Sequence, residues 1–158
     1  MNEQDKKFMR EAIALSRAGM ERGDGGPFGC VIVKDGKVVG SGNNRVVSDK
    51  DPTAHAEVVA IRDACKNLSD FQLTDCTVYT SCEPCPMCLG ALYWARPDRI
   101  VFAATREDAA EAGFDDQFIY EELPLPVEQR RFPMERQLRE EAQKVFDAWA
   151  VMEAKVKY

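Results

Sequence analysis

One histidine and two cysteines carry the first sign of chemistry in this chain. His55 stands alone, and Cys85 and Cys88 follow as a Cys-x-x-Cys pair. One imidazole and two thiolates form a soft donor set that prefers zinc. Structural zinc sites usually close with four protein ligands, whereas three leave a position open for water. Glu57 lies two residues beyond His55, where a carboxylate can move the protons of such a water. A lone histidine is more often structural than ligating, and a lone acid in a first helical turn is often only a dipole partner. The Cys-x-x-Cys pair and the adjacency of Glu57 to His55 outweigh both readings.

The other cysteines are Cys30, Cys65, Cys76 and Cys82. An even total of six would allow disulfides, but nothing indicates secretion, and a reducing cytosol keeps thiols free. Cys30 and Cys76 sit in apolar runs and read as core residues, and Cys65 as packed on a helix face. Cys82 is ambiguous: a spare ligand, or a residue with a backbone or packing role, the second being favoured because three ligands are already in place.

The elements that must position these residues follow from periodicity and breakers. Glu3 to Arg22 carries Phe8/Met9, Ala12/Ile13, Ser16 and Met20 at helical spacing, and Gly23 to Gly26 stops it. Cys30–Val33 and Lys37–Gly40 flank Asp35-Gly36, which reads as a hairpin. A loop runs from Gly42 to Asp51. Pro52 suits a helix first turn, and Ala54 to Asn67 reads as helix. Cys76–Thr80 is a buried strand, Pro84 opens a helix to about Trp94, and Arg99–Ala104 is another strand. Glu107 to Ala112 is a short helix ended by Gly113. The order implies an α/β fold of three layers, α/β/α, with a mixed sheet of about five strands and helices on both faces. Both ligand motifs fall at helix starts, whose free N–H groups and dipole favour thiolates.

We expect one domain over residues 1–158, a length that allows a full core. Residues 121–133, with Pro124, Pro126 and Pro133, form a stiff proline-rich connector. Segment 134–158 then places Leu138, Ala142, Val145/Phe146, Trp149 and Met152 on one helical stripe. That segment either docks on its own sheet or exchanges between subunits. No apolar run approaches the roughly 20 residues needed to span a bilayer, and the N-terminus lacks a secretory build. A cytoplasmic protein with no membrane partner is expected. Net charge is −6 and the isoelectric point about 4.9, which argues against a phosphate-binding face. Arg130, Arg131, Arg136 and Arg139 alternate with Glu128, Glu135 and Glu140, which reads as a salt-bridged solvated face.

His-x-Glu followed by Pro-Cys-x-x-Cys is the signature of zinc-dependent base deaminases. The chain resembles the cytidine deaminase superfamily and, within it, the small bacterial guanine deaminases. The likeness is carried by Gly25-Gly26-Pro27-Phe28-Gly29, Asn43-Asn44, Asp51 to Glu57, Tyr79 to Ala91 and Tyr93 to Arg96. Asp108 to Asp116 continues it, and Glu111 to Asp116 is the stretch that points to guanine. The resemblance implies one Zn²⁺ per subunit on His55, Cys85 and Cys88, with Glu57 as proton shuttle. It implies that Asn44 and the Ala56 backbone hold the base edge, that Phe28 and Trp94 lie near the ring, and that Asp116 contacts the guanine edge. It further implies a homodimer with crossing C-termini, in which Tyr158 closes the partner's pocket.

Without the resemblance, Phe28 and Trp94 serve equally well as core aromatics and Asn44 as a loop cap. Asp116 reads as a helix cap and Tyr158 as a frayed end. The leading expectation is zinc-dependent hydrolysis of guanine at C2, giving xanthine and ammonia. The alternatives are a guanosine or cytosine-type deaminase, a tRNA adenosine deaminase, and a structural zinc module closed by Cys82.

Overall fold

The computed structural model describes residues 2–158. They form two compact units, divided between Asp116 and Gln117. In the first, α1 (Glu3–Arg22) begins with a capping box between Asn2 and Asp5 and ends where Gly23 takes φ 77°. Strands β1 (Gly29–Lys34) and β2 (Lys37–Asn43) follow. Asp35 (φ 51°) and Gly36 (φ 72°) both adopt left-handed backbone between them, as a two-residue hairpin turn demands. Next come α2 (Val46–Asp49), α3 (Ala56–Leu68), β3 (Cys76–Cys82), α4 (Pro86–Ala95), β4 (Arg99–Ala104) and α5 (Arg106–Glu111).

The sheet order is β2-β1-β3-β4; β1 runs antiparallel to β2 and β3, and β3 parallel to β4. Side-chain alternation splits the core in two. Cys30, Ile32, Cys76 and Val78 pack with Ala56, Ala60 and Ala64 of α3 and Leu92 and Ala95 of α4. Val31, Val33 and Tyr79 pack on the other face with Phe8, Met9 and Ala12 of α1. The expected α/β/α layering is therefore present. The sheet has four strands among the described residues rather than about five. These are the four segments that the sequence marks as strands, and β4 runs on into the expected short helix α5, which Thr105 and Asp108 open with a capping box.

Helix starts lie two residues later than periodicity suggests. α3 starts at Ala56 rather than Ala54, and α4 at Pro86 rather than Pro84, with His55 and Cys85 as their N-caps. The expected loop after β2 contains α2. On α1, Ser16 is buried as expected, while Ile13 and Met20 are exposed. The face against the sheet runs through Phe8, Met9, Ala12, Ser16 and Gly19.

Asp5 ties the first unit together across α1, β3 and β4. Its carboxylate accepts from Tyr79 Oη at 2.7 Å and from both Arg99 terminal nitrogens at 3.0 Å. Arg99 and the Tyr79 hydroxyl hold the Asp5 carboxyl down to about 2.

The second unit contains α6 (Gln117–Glu122), a 3-10 turn at Val127–Gln129 and α7 (Arg139–Val151). The proline-rich stretch thus carries short helical turns. Arg130 fastens it by donating to the carbonyls of Leu123 and Leu125 at 3.1 Å. The expected amphipathic helix forms as α7, and Val145, Phe146 and Trp149 are exposed on it.

Candidate active site

Two helix starts and the middle of one strand build the site. β2 brings the chain to Asn44, and α3 begins beneath it with His55 as cap. Gly40 and Gly42 let α3 lie against β2: a Cβ on Gly42 would sit 2.5 Å from the Ala56 carbonyl oxygen. β3 delivers the chain to Cys85, which caps α4, and one helical turn inward is Cys88, fully buried.

His55 Nδ1 lies 3.5 Å from Cys85 Sγ and 3.5 Å from Cys88 Sγ. All three ligand atoms fall within 4.8 Å of one another. Zinc holds sulfur at about 2.3 Å and nitrogen at about 2.0–2.1 Å in a tetrahedron, which separates N from S by roughly 3.6 Å. The three residues therefore fit zinc in donor chemistry and in spacing. Hydrogen bonding from Cys88 and proximity to His55 bring the Cys85 thiol down to about 4, so a thiolate is already favoured there. Cys82 is outside this group. Its Sγ donates instead to the Thr105 carbonyl at 3.4 Å, and burial pushes its thiol up to about 11. The fourth-ligand role that a structural zinc module requires is thus not filled by Cys82. All six cysteines are free thiols.

Glu57 is 5% exposed, and Thr80 Oγ1 donates to its Oε1 at 3.0 Å. Burial raises its carboxyl above the ordinary value. A buried acid shifted toward neutrality suits a group that both takes and gives protons.

One cavity gathers most of the expected residues. Phe28, Asn44, His55, Glu57, Cys85 and Asp116 all line it. Phe28 meets Phe114 edge-to-face at 5.0 Å, forming an aromatic wall. Asn44 is buried; its Oδ1 accepts from Val46 N at 3.2 Å, which leaves the amide NH₂ to donate. Asp116 is raised chiefly by burial and then by Cys85. Ala56 is fully buried at the start of α3, and Trp94 on α4 is 65% exposed and outside the cavity lining. Tyr158 is exposed at the end of the second unit.

Sequence reading missed Thr80, Glu83, Arg106, Phe114 and Asp115 as site residues. For Thr80 the signal was present: a hydroxyl at a position where strand alternation calls for a core side chain.

Residues 2–104 match the family model for the cytidine and deoxycytidylate deaminase zinc-binding region. The chain is 54% identical over 151 residues to guanine deaminase of Bacillus subtilis, covering 96% of this chain and 97% of that protein. The X-ray structure of guanine deaminase from B. subtilis matches with TM-score 0.95 and 52% identity, covering 100% of this chain and 99% of that one. A tRNA-specific adenosine deaminase of Haemophilus influenzae is 38% identical over 121 residues, 73% of this chain and 69% of that protein.

Proposed function

The chain belongs to the family defined by the cytidine and deoxycytidylate deaminase zinc-binding region, and we propose that it hydrolyses guanine to xanthine and ammonia. The observation that carries the chemistry is the convergence of His55, Cys85 and Cys88 on one point of a cavity that also contains buried Glu57. The near-full-length likeness to a guanine deaminase supports the choice of substrate.

His55, Cys85 and Cys88 would hold Zn²⁺, which when bound lowers the pKa of a water from 15.7 towards about 7 and so supplies the nucleophile. Glu57 accepts the proton that this water gives up and passes it to guanine N3 as C2 is attacked. It then takes the proton of the new C2 hydroxyl and gives it to the departing amino group as C2=O forms, so guanine and water yield xanthine and ammonia. Asn44, with its oxygen engaged by Val46, donates from its NH₂ to acceptors on the base edge. Asp116 accepts from guanine N–H groups and assists ammonia release, and the Ala56 backbone completes the edge contacts. Phe28, braced by Phe114, covers the ring.

The acidic balance disfavours tRNA as substrate. No helix among the described residues is long and apolar enough to cross a membrane, and a cytoplasmic location is part of this proposal. So is a homodimer in which segment 134–158, after connector 121–133, crosses to the partner and brings Tyr158 to its pocket. Its support is the exposed apolar face of α7, with Val145 69% and Phe146 68% exposed.

The test is ammonia release by zinc-loaded protein from guanine, guanosine, cytosine, cytidine and adenine. Activity on guanine alone is expected, and Glu57→Gln should lower kcat about 10²–10⁴-fold while zinc stays bound. Preference for a nucleoside or a pyrimidine would overturn the substrate; near-normal turnover by Glu57→Gln would overturn the mechanism.

A further inference from the structure

We propose that Thr80 is the positioning residue for Glu57, its buried hydroxyl holding one carboxylate oxygen so that the other is left to carry protons. The inference rests on the deaminase reading for the meaning of that carboxylate, but its geometry stands by itself.

On β3, Cys76 and Val78 point into the α3/α4 layer, and Tyr79 points to the α1 layer. Alternation assigns Thr80 to the α3/α4 side, and it pairs in register with Cys30, itself a core residue of that side. Thr80 is 1% exposed. Valine would fill this place with nearly the same shape and no polar atom. A hydroxyl taken this far from water is costly unless it is bonded. It is bonded: Oγ1 donates to Glu57 Oε1 at 3.0 Å.

Glu57 has a long side chain and a task at several points of one reaction, taking a proton in one place and giving it in others. Lost orientation costs such a group dearly, because proton transfer needs a heavy-atom approach of about 2.6–3.2 Å. Cys88, when it carries a proton, also favours the Glu57 carboxylate. As a metal ligand it is a thiolate and has no proton to give. Thr80 then remains as the side-chain donor to Glu57. It gives up no proton itself; it fixes Oε1 and leaves Oε2 for the transfers.

The experiment compares Thr80→Val and Thr80→Ser with the parent enzyme and with Glu57→Gln. The readouts are kcat and KM on guanine, zinc content, thermal midpoint, and the Glu57 carboxyl infrared band, assigned by difference against Glu57→Gln. Thr80→Val should lose on the order of 10–100-fold in kcat, with KM within about threefold and zinc content unchanged. Its Glu57 band should shift. Thr80→Ser, which keeps the donor, should recover kcat to within about threefold and keep the band. The proposal is overturned if Thr80→Val keeps kcat and leaves the band in place. It is equally overturned if Thr80→Ser loses as much as Thr80→Val, which would mean a packing role. Should the parent protein release no ammonia from any amino ring, the deaminase reading fails. The band of Thr80→Val would still decide whether this hydroxyl holds Glu57, a shift supporting the placement and no shift refuting it.

Discussion

Replacing Gly42 with alanine should lift the first turn of α3 off the sheet and take Glu57 with it. The new Cβ would lie 2.5 Å from the Ala56 carbonyl oxygen, 2.7 Å from Ala60 N and 2.9 Å from Val59 Cβ. Two of these are helix backbone, which no rotamer change can move aside. Ordinary contact starts at 3.4 Å, so the helix must retreat by about 0.9 Å. Overpacking of this kind costs about 1–3 kcal/mol, and the stiffer unfolded chain returns about 0.4–1 kcal/mol. The net loss is about 1–2 kcal/mol, a fall in Tm of roughly 2–8 °C. The effect on activity should be larger in proportion. The clash falls on Ala56, the residue before Glu57, and a displacement near 1 Å can cost on the order of 10²-fold in rate. Gly40→Ala is the control, because its Cβ meets the Ala60 carbonyl, Ala64 N and Ala64 Cβ, farther along the same helix. It should lose similar stability and at least roughly tenfold less kcat/KM. Calorimetry and ammonia-release kinetics on the two variants read both quantities. An unchanged Tm in Gly42→Ala would refute the clash. A lowered Tm with kcat/KM within about twofold of the parent would refute the claim that this seam places Glu57.

Chelation should abolish activity and lower Tm together, and added zinc should restore both, since a metal that binds only the native state stabilises it. Cys85→Ser should bind less zinc by elemental analysis, whereas Cys82→Ser should keep a full equivalent, because Cys82 Sγ bonds the Thr105 carbonyl instead. Asp5 makes acid stability predictable. Its folded pKa of about 2 lies below the ordinary 3.8, so its stabilisation is present above 3.8 and disappears as pH falls through about 2. Thermal melts should therefore show Asp5→Asn well below the parent at pH 6, with the gap closing toward pH 2; a constant gap would refute the linkage. The proposed homodimer predicts that the parent protein is dimeric by light scattering and Phe146→Glu monomeric; a monomeric parent protein would refute the subunit exchange.

The chemistry was legible because metal ligation restricts residue type so severely. His55, Glu57, Cys85 and Cys88 declare a soft open site without any knowledge of the fold, and both motifs do begin helices, with His55 and Cys85 at the N-cap positions. Layering was legible too, since the order of helices and strands implies helices on both faces of a mixed sheet, and the packing of Cys30/Ile32 and Val31/Val33 on opposite faces bears it out. Strand number was overstated, since the four segments that read as strands are the four of the sheet and no further apolar run backed a fifth. Cys82 stayed ambiguous because ligand and backbone partner look alike until the Thr105 carbonyl is placed beside it. Thr80 showed only half its role: a hydroxyl at a core position of a strand is legible, but its partner Glu57 is not until the layers are packed. Gly40 ended an expected strand and Gly42 opened an expected loop, and both prove to lie in β2 as the seam against α3. The sequence by itself determined which atoms can bind metal and move protons, since those properties belong to residue types. Tertiary structure alone decided which groups orient them, because that depends on distances across layers, where contacts join residues as far apart as Glu57 and Thr80.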